Sequence, residues 1–230
     1  MRLDFFIANA SGLSRKEAKR ALGAGEIEVD GEVCRKGAYK LQSGQQVTLQ
    51  GQPLALPGER YLMLHKPAGV VCSTEDGDHL SVLSLIPADQ RRGLVIVGRL
   101  DLDTTGLLLL TTDGQWSHRV TSPRHQCPKT YRVSLAEPLA EDAVVLLTEG
   151  VMLRNDSKPA VAADVSLVDE LTIDLTITEG RYHQVKRMIA AVGNRVTGLH
   201  RLKVGGIMLD PALAAGEYRQ LTAEEIACMA

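Results

Sequence analysis

One stretch limits the architecture more than any other. Gly98-Arg99-Leu100-Asp101-Leu102-Asp103-Thr104-Thr105-Gly106 runs directly into Leu107, Leu108, Leu109 and Leu110, and then into Thr111-Thr112-Asp113-Gly114. A short unbroken apolar run bounded by turn formers reads as a buried β-strand. The chain must therefore build a sheet around this strand, and a polar loop with two carboxylates, Asp101 and Asp103, must precede it. Loops displayed on a rigid sheet are where reacting side chains are commonly carried. Aspartates in such loops also cap turns, with no further role. On this string alone both readings stand.

The rest of the larger part of the chain has the same texture. Short strands are predicted at 61–65, 94–97, 107–112, 131–135, 160–167 and 171–177, while residues 143–147 suit a buried strand or one helical turn. Val185, Met188, Ile189 and Val192 form an i, i+3, i+4, i+7 stripe that Gly193-Asn194 stops, which predicts an amphipathic helix. A last helix opens at Thr222, with Glu225 completing a capping box. Strands outnumber helices and do not alternate with them regularly. The predicted class is α+β, with a mixed, largely antiparallel sheet.

Residues 1–57 read as a separate small αα-β module. Leu3, Phe6, Ile7 and Ala10 have helical spacing and Gly12 ends that segment; Ser14 and Glu17 then form a capping box for a second helix. That helix sets Arg15, Lys16, Lys19 and Arg20 around a small apolar stripe of Ala18 and Leu22. Two short strands flank Asp30-Gly31, a strong hairpin signal, and Ser43-Gly44 turns the chain toward a strand around Val47 and Leu49. Pro53 and Pro57-Gly58 mark a linker, so the second domain is taken to run from 58 to 230.

Composition narrows the function classes. No apolar run approaches membrane-spanning length, and the N-terminus has no signal-peptide pattern. The four cysteines stand far apart, which suits reduced thiols in the cytoplasm and neither a disulfide framework nor a metal site. The net charge of −2 does not mark a nucleic-acid binder, but its distribution is uneven. Residues 179–203 carry six Lys/Arg against one acidic residue and residues 91–132 seven against three, whereas 134–174 carry two against nine. Such segregation fits one face turned toward phosphate.

Several ordered motifs carry a family resemblance. The RLDFFI, GLSRKEAKRAL and IEVDG segments resemble the S4 RNA-binding domain. GRLDLDTTGLLLLT resembles the signature of the pseudouridine synthases related to the ribosomal small-subunit enzyme A. Lys66-Pro67-Ala68-Gly69, Lys129-Thr130-Tyr131 and Glu179-Gly180-Arg181-Tyr182-His183-Gln184-Val185-Lys186-Arg187-Met188 match further elements of that family, and together the motifs span nearly the whole chain. The stretch from Asp113 to Pro123 looks like the members that act on 16S rRNA rather than those acting on 23S rRNA.

The resemblance implies a uridine isomerase that needs no cofactor and no metal. It assigns Asp101 as the catalytic carboxylate, Lys186 as the cation paired with it, and Tyr131 as the ring against which a flipped base stacks. Asp103 would shape the loop. Arg15, Lys16, Lys19 and Arg20 would lie against RNA in the first domain, and Arg181 and Arg187 would serve phosphates in the second. Arg99, Arg119, Arg124 and Lys129 surround the same loops and either track an RNA backbone or remain solvated. The implied partner is 16S rRNA or the assembling small ribosomal subunit, met by a monomer. Two rival classes are an inactive RNA-binding assembly factor and a carboxylate hydrolase built on Asp101 and Asp103.

Overall fold

A computed structural model describes every residue except 43, 57, 75, 76 and 230, so Ser43 of the Ser43-Gly44 turn and Pro57 of the linker lie outside the described residues. The chain divides into two compact units, Met1–Glu59 and Arg60–Ala230.

In the first unit, α1 (Leu3–Ser11) buries Leu3, Ile7 and Ala8 along one face and ends at Gly12, whose φ of 83° is open to glycine at little cost. Helix α2 (Arg15–Ala24) starts with a reciprocal capping box: the Glu17 amide donates to Ser14 Oγ at 3.3 Å and the Ser14 amide donates to the Glu17 carboxylate at 2.8 Å. It buries Ala18, Ala21 and Leu22 and leaves Arg15, Lys16, Lys19 and Arg20 exposed. Strands β1 (Ile27–Val29) and β2 (Glu32–Val33) close around Asp30 and Gly31, both at positive φ as a twist-compatible hairpin turn requires. Strands β3 (Val47–Leu49) and β4 (Gln52–Leu54) complete a sheet of order β2-β1-β3-β4. Pro53, read from sequence as the start of the linker, lies within β4. Among the described residues that strand pairs only with β3, and an edge strand tolerates a residue that cannot donate to the ladder.

The second unit runs β5 (Tyr61–Lys66), β6 (Val95–Val97), β7 (Thr105–Thr111), α3 (Gly114–Thr121), β8 (Lys129–Leu135), α4 (Ala143–Glu149), β9 (Asp164–Asp169), β10 (Thr172–Ile177), α5 (Gln184–Ala191), β11 (Val196–Val204), β12 (Ile207–Met208), β13 (Tyr218–Gln220) and α6 (Ala223–Ala227). Its sheet has the order β13-β5-β7-β11-β8-β10-β9, with β6 added to β7 and β12 to β11. Among the described residues every pairing of these named strands is antiparallel except the short parallel contact between β7 and β11.

The leucine run explains itself here. Successive side chains of a strand point to opposite faces, and both faces of β7 are covered. Leu107 and Leu109 enter a core with Met63, Trp116 and Ile207, while Leu108 and Leu110 enter another with Leu64, Val82 and Ile86. A third core under β8 and β10 holds Val133, Ile173 and Leu175 against Met188 and Ile189 of α5.

Several elements depart from the sequence reading, among them β4, α3, β12 and β13, which it does not contain. The strand expected at 160–167 begins only at Asp164, because Ala160 is taken by an isolated bridge to Val151. Of the two readings open for residues 143–147, the helical one holds, extended to Glu149 as α4. Strand β11, which lies inside the sheet between β7 and β8, was not expected at all, since Gly198, His200, Arg201 and Lys203 break its apolar pattern.

The parallel contact between β7 and β11 depends on Gly106, which faces Arg201 at a φ of 104°. A Cβ placed there would lie 2.6 Å from the Arg201 amide nitrogen and closer still to its carbonyl oxygen. Both are backbone atoms of an inner strand and cannot swing aside. Gly106→Ala is therefore expected to cost about 3 kcal/mol, read as a lowered urea midpoint with an unchanged slope. An unchanged midpoint would show that the two strands can separate without loss.

Candidate active site

The loop at 98–104 joins β6 to β7 and is tied down largely through its backbone. Thr104 N–H donates to the Asp101 carbonyl at 3.1 Å, and Gly69 N–H donates to the Leu102 carbonyl at 2.9 Å. The principal anchor is Lys66, the last residue of β5, which the register sets opposite Gly106. Its side chain is fully buried, and Nζ donates to the carbonyls of Thr104 (2.8 Å), Asp101 (3.0 Å), Pro67 (3.0 Å) and Leu102 (3.4 Å). Burial pushes the Lys66 ammonium below its ordinary pKa, against the pull of nearby Asp103 and Asp101. The Lys66-Pro67-Ala68-Gly69 string alone assigns Lys66 no role. The signal was a lysine at the very end of an apolar strand, a place where a lysine is buried only if its charge is satisfied.

Helix α5 brings the opposing charge. Lys186 Nζ lies 2.6 and 2.9 Å from the two Asp103 oxygens and 3.4 Å from Asp101 Oδ2. The ammonium thus bridges both carboxylates, and the nearer one is Asp103. Burial works to lower the Lys186 pKa, but its contacts with Asp103 and Asp101 outweigh this and hold it above the ordinary value. The same hydrogen bond draws the Asp103 carboxyl below the usual range. On the other side, His183 Nε2 stands 3.5 Å from Asp101 Oδ1. Asp101 therefore sits between a lysine and an imidazole.

Asp101 lines a cleft of about 620 Å³, within the size range of small-molecule sites. Tyr131 on β8 lines it and is almost fully buried, which joins its strand-core position to a place at the cleft. Arg201, only 2% exposed, lies 6.0 Å from the Tyr131 ring centre and donates through Nε to the Leu107 carbonyl at 2.8 Å. Arg99 is exposed at the cleft, and Lys129 lines it while donating to the Cys127 carbonyl at 2.8 Å. Burial lowers the Lys129 pKa.

The remaining expected contacts are placed differently. Arg181 lines the cleft, but its guanidinium is engaged by Asp156 at 3.0 Å and by the carbonyls of Lys158 and Pro159. Arg187 also binds Asp156, at 2.9 Å, so both arginines brace the 152–159 loop against the start of α5. Arg119 lies on α3 and Arg124 on the turn after it; neither lines the cleft. In the first unit, Arg15, Lys16 and Lys19 border a shallow depression with Arg2 and the exposed ring of Phe5, and Arg20 is exposed on the same helix.

A buried lysine holding an aspartate loop, a cation beside that aspartate and a ring in the same cleft can now be set beside known proteins. Residues 60–191 match the profile of RNA pseudouridylate synthases and residues 1–47 that of the S4 domain. The chain belongs to the RNA pseudouridylate synthase family. Within that family, the synthase is 52% identical over 227 residues to the ribosomal small subunit pseudouridine synthase A of Vibrio cholerae, covering 99% of this chain and 98% of that one. It is likewise 52% identical over 228 residues to the protein of the same name from Escherichia coli, covering 99% of each. A crystal structure of a pseudouridylate synthase aligns over the full length of both chains at 43% identity, with a TM-score of 0.74. The synthase is thus an α+β protein with an S4 domain and a pseudouridine synthase domain, as its motifs implied.

Proposed function

We propose that this synthase converts one uridine of 16S rRNA to pseudouridine, with Asp101 as the catalytic carboxylate, working as a monomer in the cytoplasm. The observation that carries the reading is the Asp101 carboxylate lining the cleft, with Lys186 and His183 beside it. The small-subunit target draws support from the near-complete match to ribosomal small subunit pseudouridine synthases A.

In the reaction the N1–C1′ bond breaks, the uracil turns, and C5 bonds to C1′; C5 loses its proton to solvent and N1 gains one, so the product is an isomer of the substrate. Asp101 assists at the sugar or the base. Lys186 pairs with it and orients it, and shares its charge with Asp103. Tyr131 supplies the face on which the flipped uracil rests and takes part in removing the C5 proton. Arg99 and Lys129 meet the RNA backbone at the cleft, with Arg119 and Arg124 beyond it. Arg181 and Arg187 act on RNA through the loop they brace. Arg15, Lys16, Lys19 and Arg20 add contacts in the S4 domain, which give affinity and position rather than base choice.

The test is carbodiimide-blocked primer extension on 16S and 23S rRNA from a strain lacking the gene and from the same strain complemented. A single 16S stop that vanishes with the gene and returns with it is the expected result. A stop in 23S rRNA overturns the substrate and keeps the enzyme class. No difference at any position favours a non-catalytic assembly factor.

A further inference from the structure

Tyr182 has no role in the site as described, yet its position is unusual. It is 74% exposed, more than any other large apolar or aromatic side chain among the described residues, and it stands at the cleft that Asp101 opens onto. A tyrosine in open solvent gains nothing from burial. Its ring is not loose, however: it lies flat on the His183 imidazole, with centroids 3.8 Å apart and planes inclined by 19°.

The backbone beneath is fixed on both sides. Arg181 N–H donates to Gln184 Oε1 at 2.8 Å, and Arg187 donates to the Tyr182 carbonyl at 3.3 Å. His183 itself holds a φ of 47° and ψ of 37°, a left-handed conformation that a residue with a Cβ adopts uncommonly. That conformation points one edge of the imidazole at Asp101, 3.5 Å away, and offers its face to Tyr182. The result is a short aromatic column leading from the catalytic carboxylate to the cleft rim, with its outer ring open to solvent.

A flat, backed and exposed ring suits one kind of occupant, the face of a nucleobase. Single-stranded RNA is bound by stacking its unpaired bases on aromatic rings, and that contact is indifferent to base identity. When a uridine leaves its stack to enter the cleft, the bases beside it lose a stacking partner. Arg99 and Lys129 at the same cleft supply positive charge for the connecting phosphates.

We propose that Tyr182, backed by His183, is the stacking platform for the nucleobase adjacent to the target uridine. This rests on the synthase reading given above. Tyr182 is then a binding residue for the flanking nucleotide, and His183 positions it.

The test uses the full-length protein and an RNA fragment containing the uridine mapped in vivo, with 2-aminopurine placed on its 5′ side or its 3′ side. Tyr182→Ala should lower kcat/KM by about 5- to 150-fold, the range for losing one base–aromatic stack, mainly through KM. It should also leave the bound 2-aminopurine brighter than the wild type does at one of the two positions. Tyr182→Phe should restore both signals, and because the ring is exposed the melting temperature should not move. A Tyr182→Ala protein with wild-type kcat/KM and unchanged fluorescence at both positions overturns the platform. A wild-type protein that modifies no RNA defeats the broader reading instead, so the two failures are distinguishable.

Discussion

Replacing Asp101 with asparagine is expected to lower single-turnover isomerisation by at least about 10⁴-fold, or about 5.4 kcal/mol at 1.36 kcal/mol per decade. The amide keeps the size and one acceptor oxygen of the carboxylate but neither its charge nor its nucleophilicity. Stability should change little, because the Asp101 backbone, not its side chain, carries the loop contacts to Lys66 and Thr104. Lys186 also retains Asp103 as its nearer partner. The companion variant, Asp103→Asn, decides whether the right aspartate has been assigned. Its side chain is 72% exposed and stands on the far side of the lysine. Losing its charge leaves Lys186 to Asp101 alone and should cost about tenfold or less, the scale of a surface ion pair. Tritium release from RNA labelled at uridine C5 measures both. An Asp101→Asn protein with a tenth or more of wild-type activity, beside a dead Asp103→Asn protein, would transfer the catalytic role to Asp103.

That uncertainty between neighbouring aspartates shows what a linear sequence carries. The leucine run was legible because both faces of β7 are covered, which leaves no polar position to disguise it. Helix α2 and the Asp30-Gly31 hairpin were legible because a capping box and a turn with two positive φ values are made by residues three or fewer apart. Strand β11 was hidden for the opposite reason: it has the cleft-lining Arg201 and the Gly198 that fits against Ser134, so its composition follows the site and not the core. Motif spacing likewise brought Lys186 to the aspartate loop but could not rank Asp103 at 2.6 Å above Asp101 at 3.4 Å. Arg181 and Arg187 looked free for phosphate because Asp156, their partner, lies 25 and 31 residues away.

Lys66 is the strongest case of such a long-range dependency, since its carbonyl partners at 101, 102 and 104 lie 35 to 38 residues along the chain. Lys66→Met keeps the length and most of the volume of the side chain while removing the ammonium. Each hydrogen bond to a charged donor contributes about 1.5–3 kcal/mol, and a buried carbonyl left without a partner costs about 1–3 kcal/mol. Against this, the variant no longer has to bury a charge, a cost already visible in the lowered Lys66 pKa. The net loss expected is about 3 kcal/mol, which for a unit of this size lowers its melting temperature by about 6–12 °C. The S4 domain has its own core and should melt unchanged. Chemistry should suffer more than binding. Misplacing a reacting group by about 1 Å can cost on the order of 100-fold, so kcat should fall by at least about that factor at temperatures where the variant is fully folded, with KM changed far less. Lys66→Arg is no remedy, because a planar guanidinium cannot converge its donors on four carbonyls in a site shaped for an ammonium. If Lys66→Met instead retains kcat within a few-fold after allowance for the unfolded fraction, the Gly69 and Thr104 backbone contacts suffice to hold the loop, and the lysine serves stability alone.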